Sequence, residues 1–402
     1  MSDNQFTNFI KRIYLSNRYF YVLVLIAISI SILVIVALTF QEQQDQVQLI
    51  LEDELEQLKF QFTGFLNQYN KGYKTALQFK SGLSNFQKNK VSIEQLNKGS
   101  KGDLVLGLNQ FSDQSLETFK SKILKLQSPS EQYRGQQLNN QNTDTLNQSQ
   151  PNTTSTTNAI NKNTKNIASN ESPLQTPLIQ LPANFDWRTK GVVTPIKDQQ
   201  SCGSCYSFAS TAVIESILLI KDPVKNFKID LSEQQLIDCS FAVGNNGCNG
   251  GHMTNVYYYL QDIKLVSEDY YPYTAMEEIC RASLIPSGVL NIKEFYQGSS
   301  SNSTYIKGLL MKNPLAIGIS GNSDIFRFYK KGIISSSLCG TNIDHAVVLV
   351  GWGQQDKTTN YWIIKNSFGT SWGENGYAKI LMENKTNSIC GIGKDITYPI
   401  LR

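Results

Sequence analysis

Cysteine is absent from the first half of this 402-residue chain, and all seven lie from Cys202 onward. Thiols clustered in this way fit disulfides made in an oxidising compartment, and an odd count leaves one sulfur over. Histidine is scarce: His252 and His345 are the only two, so imidazole chemistry has two candidates. Net charge is only +4, and no basic patch carries interleaved aromatics, which argues against a nucleic-acid partner. Proline is missing from residues 41–126, a stretch that reads mostly as helix. Aromatics are missing between Tyr133 and Phe185. Residues 127–180, rich in Asn, Gln, Ser and Thr, cannot bury enough apolar surface to fold and read as a disordered linker.

Among what is present, Tyr19–Phe40 is a long apolar run, interrupted only by Ser29, Ser31 and Thr39 besides its tyrosines. At 1.5 Å per residue it spans a hydrocarbon core of about 30 Å. Lys11, Arg12 and Arg18 precede it, and Gln41–Asp45 after it holds no Lys or Arg. The charge asymmetry puts residues 1–18 in the cytoplasm and the rest in the lumen, with 19–40 as a transmembrane signal anchor. A cleaved signal peptide is the alternative, but its core would be about 7–15 residues long, and Ala37-Leu38-Thr39 is a poor cleavage site.

The chemistry converges on Gln199-Gln200-Ser201-Cys202-Gly203-Ser204-Cys205-Tyr206. Residues 206–221 lack Pro and Gly and are rich in Ala, Ile, Leu and Phe, which predicts a buried helix with Cys205 in its first turn. The partial positive charge there favours a thiolate. Gln199 can aim an N–H at an oxyanion beside the sulfur, with the backbone N–H of Cys205 as second donor. His345 sits where a polar turn enters a β-branched run, and Asn366 ends the next run. Asn366 can accept from the second ring nitrogen and orient the imidazole.

These motifs resemble the papain family of cysteine proteases, in its cathepsin L-like branch. Cys202-Gly203-Ser204-Cys205-Tyr206 fits C-G-[SA]-C-[WY], with His and Asn expected about 130–150 residues on. Asp186-Trp187-Arg188, Gly247-Cys248-Asn249-Gly250-Gly251 and Asn366-Ser367-Phe368-Gly369 leading to Trp372-Gly373-Glu374-Asn375-Gly376-Tyr377 match as well. The resemblance covers residues 182–402 and, more loosely, about 60 residues upstream. Upstream, Phe86, Asn89, Ile93 and Asn97 resemble half of the family's propeptide signature, and Gly107, Asn109, Phe111 and Asp113 match its second motif. Gln78 and Gly82 stand where that signature has Glu and Arg, which removes an ion pair.

The resemblance implies an α+β fold: a helical half and a β-barrel half with a cleft between, preceded by an inhibitory helical prodomain over 41–126 and the peptidase domain over 181–402. It implies a cysteine endopeptidase made as a zymogen, acting on protein substrates with its own prodomain as inhibitor. It also implies a lysosomal, vacuolar or extracellular location reached through the secretory pathway. The disulfides carried over are Cys202–Cys248, Cys239–Cys280 and Cys339–Cys390, leaving Cys205 free. Substrate should lie along Gly250-Gly251 and Asp344, with one side chain in a pocket walled by Met253, Gly318 and Ile343 and floored by Asp395. Phe368 replaces a Trp that in the family covers the His–Asn hydrogen bond.

Helices are expected from Ser232 to Cys239, opened by a capping box, and over 253–263. Strands are expected at 315–320, 346–352, 361–366 and 376–382. Asn147, Asn152, Asn170, Asn302 and Asn384 sit in glycosylation sequons. Other readings are weaker. A zinc site at Cys202 and Cys205 lacks a second ligand pair, and no metal or cofactor is expected. A thioredoxin-like dithiol would need a βαβ setting. Gly369-Thr370-Ser371-Trp372-Gly373 fits G-x-S-x-G, but no histidine follows it as that fold requires. His252 reads as a wall residue of the cleft. The rival from another class, an inactive homologue serving as a binding protein, would be expected to have lost Cys205, His345 or Gln199.

Overall fold

A computed structural model describes residues 3–100, 102–129 and 181–402. The expected linker from residue 130 on, with the sequons at Asn147, Asn152 and Asn170, lies outside the described residues. The chain divides into two compact units, Met1–Leu83 and Ser84–Arg402.

The first unit is built on one helix, α1 (Asp3–Gln68). Part of it is long and apolar enough to cross a membrane. There the Ser29 and Ser31 hydroxyls donate to the carbonyls of Leu25 and Ala27, which meets their polar needs within the helix. A second helix, α2 (Ala76–Gly99), starts in this unit. Phe62, Tyr73 and Phe79 form an aromatic cluster there, with Phe62 and Phe79 rings 5.3 Å apart. A Cβ on Gly82 would overlap the Tyr73 ring. The aromatic cluster thus takes the space of the expected arginine, and Gln78 accepts from the Lys74 N–H.

In the second unit the asparagines of α2 hold the segment after it. Asn89 Nδ2 donates to the carbonyls of Ser112 and Gln114, and Asn97 pairs with both N–H and C=O of Leu106. These bonds satisfy backbone groups that no ladder reaches. They set a short strand β1 (Val105–Leu106) and a helix α3 (Leu116–Ile123), whose cap is Ser115 accepting from the Thr118 N–H. Phe111, Phe119, Ile123 and Leu124 then join the core of the following β half.

That half is an antiparallel-rich sheet. Its strands are β2 (Phe185–Asp186), β3 (Ile292–Gly298), β4 (Leu315–Ile319), β6 (Ile333–Ile334), β7 (His345–Gln354), β8 (Asn360–Lys365), β9 (Tyr377–Leu381) and β10 (Asp395–Leu401). They run in the order β3-β10-β4-β7-β8-β9-β6, with β2 on β7. β5 (Tyr329–Lys331) pairs instead with β1, so the upstream segment lends this half a strand. Sequence pattern missed β3 and β10, which carry Lys293, Glu294 and Lys394 in or beside them and show little alternation.

The helical half packs α4 (Cys205–Lys221), α5 (Glu233–Cys239) and α6 (Met253–Asp262) around Tyr206, Val213, Leu236, Val256 and Leu260. Ser232 caps α5 by accepting from Gln235 N–H, but the reciprocal half of the expected capping box is absent. Gln235 turns away, accepting from Val266 N–H and donating to Lys264 O. Tertiary donors thus outbid the local box. Between the halves Lys197 Nζ meets Glu233 at 2.8 Å, Glu215 at 3.1 Å and Asp230 at 2.6 Å. Disulfides join Cys202–Cys248, Cys239–Cys280 and Cys339–Cys390, leaving Cys205 free.

Candidate active site

The cleft is assembled from the start of α4, the start of β7, the end of β8 and the loops facing them. Cys205 opens α4 and is fully buried. Its N-cap residue, Ser204, makes no side-chain cap bond and pairs with the Tyr273 hydroxyl instead. His345 opens β7, paired opposite Ile319 of β4. Its Nε2 lies 2.8 Å from Asn366 Oδ1, which also accepts from the Ser367 N–H. Because a backbone N–H can only donate, Oδ1 is the acceptor, and His345 Nε2 carries the hydrogen. Nδ1 is buried with no hydrogen-bond partner among the described residues.

Phe368 stacks on the imidazole, ring centroids 4.7 Å apart at 27°. Ser367, which sequence reasoning overlooked, links two site residues: its hydroxyl donates to Gln199 Oε1 at 2.7 Å. That bond turns the Gln199 amide so that Nε2 faces inward. The sequence signal was available, since Ser367 adjoins Asn366 in a matched motif.

The cleft is filled by the upstream segment. Gln199 Nε2 donates to the carbonyl of Ile123 at 3.2 Å, besides that of Cys202 at 2.9 Å. Leu126 N–H donates to Asp344 O at 3.0 Å, Gln127 N–H to Gly251 O at 2.9 Å, and Gly251 N–H to Lys125 O at 3.3 Å. Leu126 and Gly251 form a parallel bridge. Gly250 holds φ at +114°, and a Cβ there would strike the Lys125 carbonyl. The absent side chain is what lets the two backbones meet.

The Leu126 side chain enters the slot at Gly318, where a Cβ would fall 3.1 Å from Leu126 Cδ2, 3.1 Å from Asp395 Oδ2 and 2.6 Å from Ile343 Cγ2. Met253 is buried in the same apolar cluster as Leu126. Asp395 is directed inward, with a side chain 14% exposed and Oδ2 2.8 Å from His252 Nε2. His252 is buried and caps α6.

Electrostatics depart from the expectation of a stabilised thiolate. Burial pushes the Cys205 thiol up to about 11, against backbone donors at Ala346 and Lys125. Burial likewise pushes the His345 imidazole down to about 4, partly offset by Asn366. A helix N-terminus contributes at most about 2 kcal/mol, whereas full desolvation shifts a group by several pH units. Burial outweighs the helix end, so charging either the thiol or the imidazole is disfavoured in this closed form. Asp344 is pushed up to about 6, also by burial.

Further polar anchors lie outside the cleft. Arg327, in the short helix Asp324–Arg327, is buried and donates to Asn89 Oδ1, Gln114 O and Asp324 Oδ1. Its carbonyl accepts from Asn109 Nδ2 at 2.7 Å, and Ser92 donates to Asp324 at 2.9 Å. Gln110 Nε2 reaches the Phe368 carbonyl at 2.5 Å.

Comparison with known proteins agrees with this architecture. Residues 181–400 match the model of the papain family of cysteine proteases, and residues 62–119 that of the cathepsin propeptide inhibitor domain. A cathepsin L-like proteinase of Fasciola hepatica is 35% identical over 83% of this chain and 90% of its own length. Human cathepsin L2 is 37% identical over 55% of this chain and 66% of its own. The solved structure of digestive procathepsin L 3 from Tenebrio molitor larval midgut superposes with a TM-score of 0.68 at 28% identity, covering 86% of this chain and 99% of that one. A free buried cysteine at a helix start, a cleft gripped by an upstream segment and two matching domain models have one explanation: the chain belongs to the papain family of cysteine proteases, in its cathepsin L-like branch, and carries its inhibitory propeptide.

Proposed function

We propose that this cysteine protease is an endopeptidase whose nucleophile is Cys205, with His345 as its base and acid and Asn366 orienting the ring. Gln199 Nε2 and the Cys205 N–H hold the oxyanion. The observation that supports this best is the bond from Gln199 Nε2 to the Ile123 carbonyl: the amide already donates to a peptide oxygen inside the cleft, as an oxyanion donor must. With the propeptide gone, water enters, the cost of charging both groups falls, and the Cys205 proton passes to His345 Nδ1. The thiolate forms an Sγ–C bond to the scissile carbonyl, and the C–N bond breaks as His345 returns the proton to the leaving amine. Water then attacks the thioester through the same imidazole and frees Cys205.

Substrate lies along Gly250-Gly251 and Asp344 in the direction opposite to the propeptide, whose bridge to Gly251 is parallel. The side chain two residues before the cut enters the slot of Met253, Gly318 and Ile343. Leu126 fits there as a natural occupant, and Asp395 at the floor adds affinity for Arg. Cleavage after X-Arg or X-Lys, with Leu, Phe or Arg at X, follows.

The domain boundaries fit this scheme with one shift: 19–40 as a signal anchor with residues 1–18 cytoplasmic, 41–126 as propeptide, 127–180 as a tether whose first residue, Gln127, is still held in the cleft by Gly251 and Asn249, and 181–402 as peptidase. The precursor enters the secretory pathway and acts in a lysosomal, vacuolar or extracellular space. No observation favours an inactive binding protein. The test is hydrolysis of a Leu-Arg fluorogenic amide after maturation, with irreversible thiol-reagent labelling of Cys205. Cys205→Ala should abolish both, and hydrolysis by Cys205→Ala would refute the assignment.

A further inference from the structure

His252 has two bonds that fix its tautomer. Its Nδ1 lies 3.2 Å from the Thr254 N–H and 2.7 Å from the Thr254 hydroxyl. A backbone N–H can only donate, so Nδ1 must present its lone pair, and the ring hydrogen is on Nε2. Nε2 in turn lies 2.8 Å from Asp395 Oδ2, so the imidazole donates to the carboxylate. The donor is rigid as well as directed, since His252 is 1% exposed and its backbone N–H is held by Asn245 Oδ1 at 2.9 Å.

Asp395 begins β10, opposite Gly318 of β4. Its Oδ2 faces the Gly318 slot that Leu126 fills in the closed chain. Among the described residues no Lys or Arg pairs with Asp395. The slot therefore ends in a carboxylate that is aimed by one ring N–H and has no Lys or Arg of its own. A flexible carboxylate would swing toward solvent and pay ordering entropy on each binding event. The clamp removes that cost in advance.

We propose that His252 is a positioning residue for substrate choice. By donating from Nε2 it holds Asp395 at the pocket floor, so that a guanidinium two residues before the scissile bond is accepted. This rests on the reading of Asp395 as pocket floor given above. It assigns His252 no part in bond cleavage.

Two substitutions split the jobs of the ring. Asn at 252 keeps an oxygen where Nδ1 caps α6 but cannot reach Asp395. Gln at 252 puts an N–H₂ near the place of Nε2 and gives up the cap. The experiment uses the matured enzyme, with active sites titrated by an irreversible thiol reagent so that folded fraction cancels. The readout is the ratio of kcat/KM for Arg-Arg over Leu-Arg fluorogenic amides. Asp395→Asn should lower this ratio about tenfold or more, the cost of losing a charged hydrogen-bond partner. His252→Asn should lower it about fivefold, mainly through KM for Arg-Arg, and His252→Gln should restore most of the loss.

If Asp395→Asn collapses the ratio while His252→Asn stays within twofold of native, the pocket reading survives and the clamp is refuted. Equal losses in the Asn and Gln variants trace the effect to packing and also overturn it. An unchanged ratio in Asp395→Asn removes the pocket reading and the clamp together.

Discussion

Phe119 offers a direct measure of how tightly the propeptide closes the cleft. The ring is fully buried, 4.9 Å from the Phe111 ring and 5.8 Å from Phe368, with the Arg327 guanidinium 5.9 Å away. Phe368 in turn stacks on His345. Truncating a buried Phe to Ala costs about 3–5 kcal/mol. Helix α3 is only eight residues long, too short to hold together alone in water. In the open form Phe119 is then exposed, so nearly the whole cost falls on the closed form. At 1.36 kcal/mol per decade, Phe119→Ala should raise the open population about 10²–10⁴-fold.

The assay is the rate at which a small irreversible thiol reagent labels Cys205 in the uncleaved chain at neutral pH. With fast reclosing that rate follows the open fraction. After maturation the variant and native proteins are the same molecule, since residue 119 is removed, so their peptidase rates supply an internal control. A labelling rate within threefold of native would refute the claim that this contact holds the cleft shut.

Gln199→Ala should leave weak peptidase activity, about 10²–10³-fold down in kcat, as for loss of one oxyanion donor; an undiminished kcat would remove Gln199 from the site. Closure should also respond to acid through two opposed groups. His345, at about 4 when closed against an ordinary 6.5, favours closure above pH 6.5, and that preference fades as pH falls toward 4. Asp344, at about 6 when closed against 3.8, binds its proton more tightly in the closed form and so opposes opening as pH falls from 6 to 3.8. Taking ordinary values for the open cleft, Asp344→Asn should unmask the histidine: relative to each protein's own rate at pH 7, labelling at pH 5 should rise about tenfold more in the variant than in native; equal normalised pH profiles would dispose of this. Glu233→Ala leaves Lys197 with Glu215 and Asp230 but takes one charged partner from it and the acceptor from the buried Thr211 hydroxyl, and should cost the matured domain about 1–3 kcal/mol. Thermal unfolding should report it at about 2–4 °C per kcal/mol, and an unmoved transition would show the cluster to be dispensable.

Much of this was legible in the residues because it is local. Helix α4 beginning at Cys205 follows from an uninterrupted apolar run after a glycine-bearing turn, and β7 and β8 from β-branched runs too short for helices. With two histidines in the chain, His345 was easily found. Strands β3 and β10 were not, because their faces are shaped by neighbours distant in sequence and show little period-two alternation. The state of the site lay further out of reach. Position in the chain argued for a stabilised thiolate at Cys205. Burial in the closed cleft, which residues 123–127 reach from more than 75 positions upstream, pushes the thiol the other way. The Gln235 amide and the His252 ring show the same rule, each drawn to partners supplied by other segments. Local pattern decided which groups the protein has and roughly where each element starts. Only the packed chain decided which water each group loses and which donor it faces, because desolvation and hydrogen bonding act between segments that sequence order keeps apart.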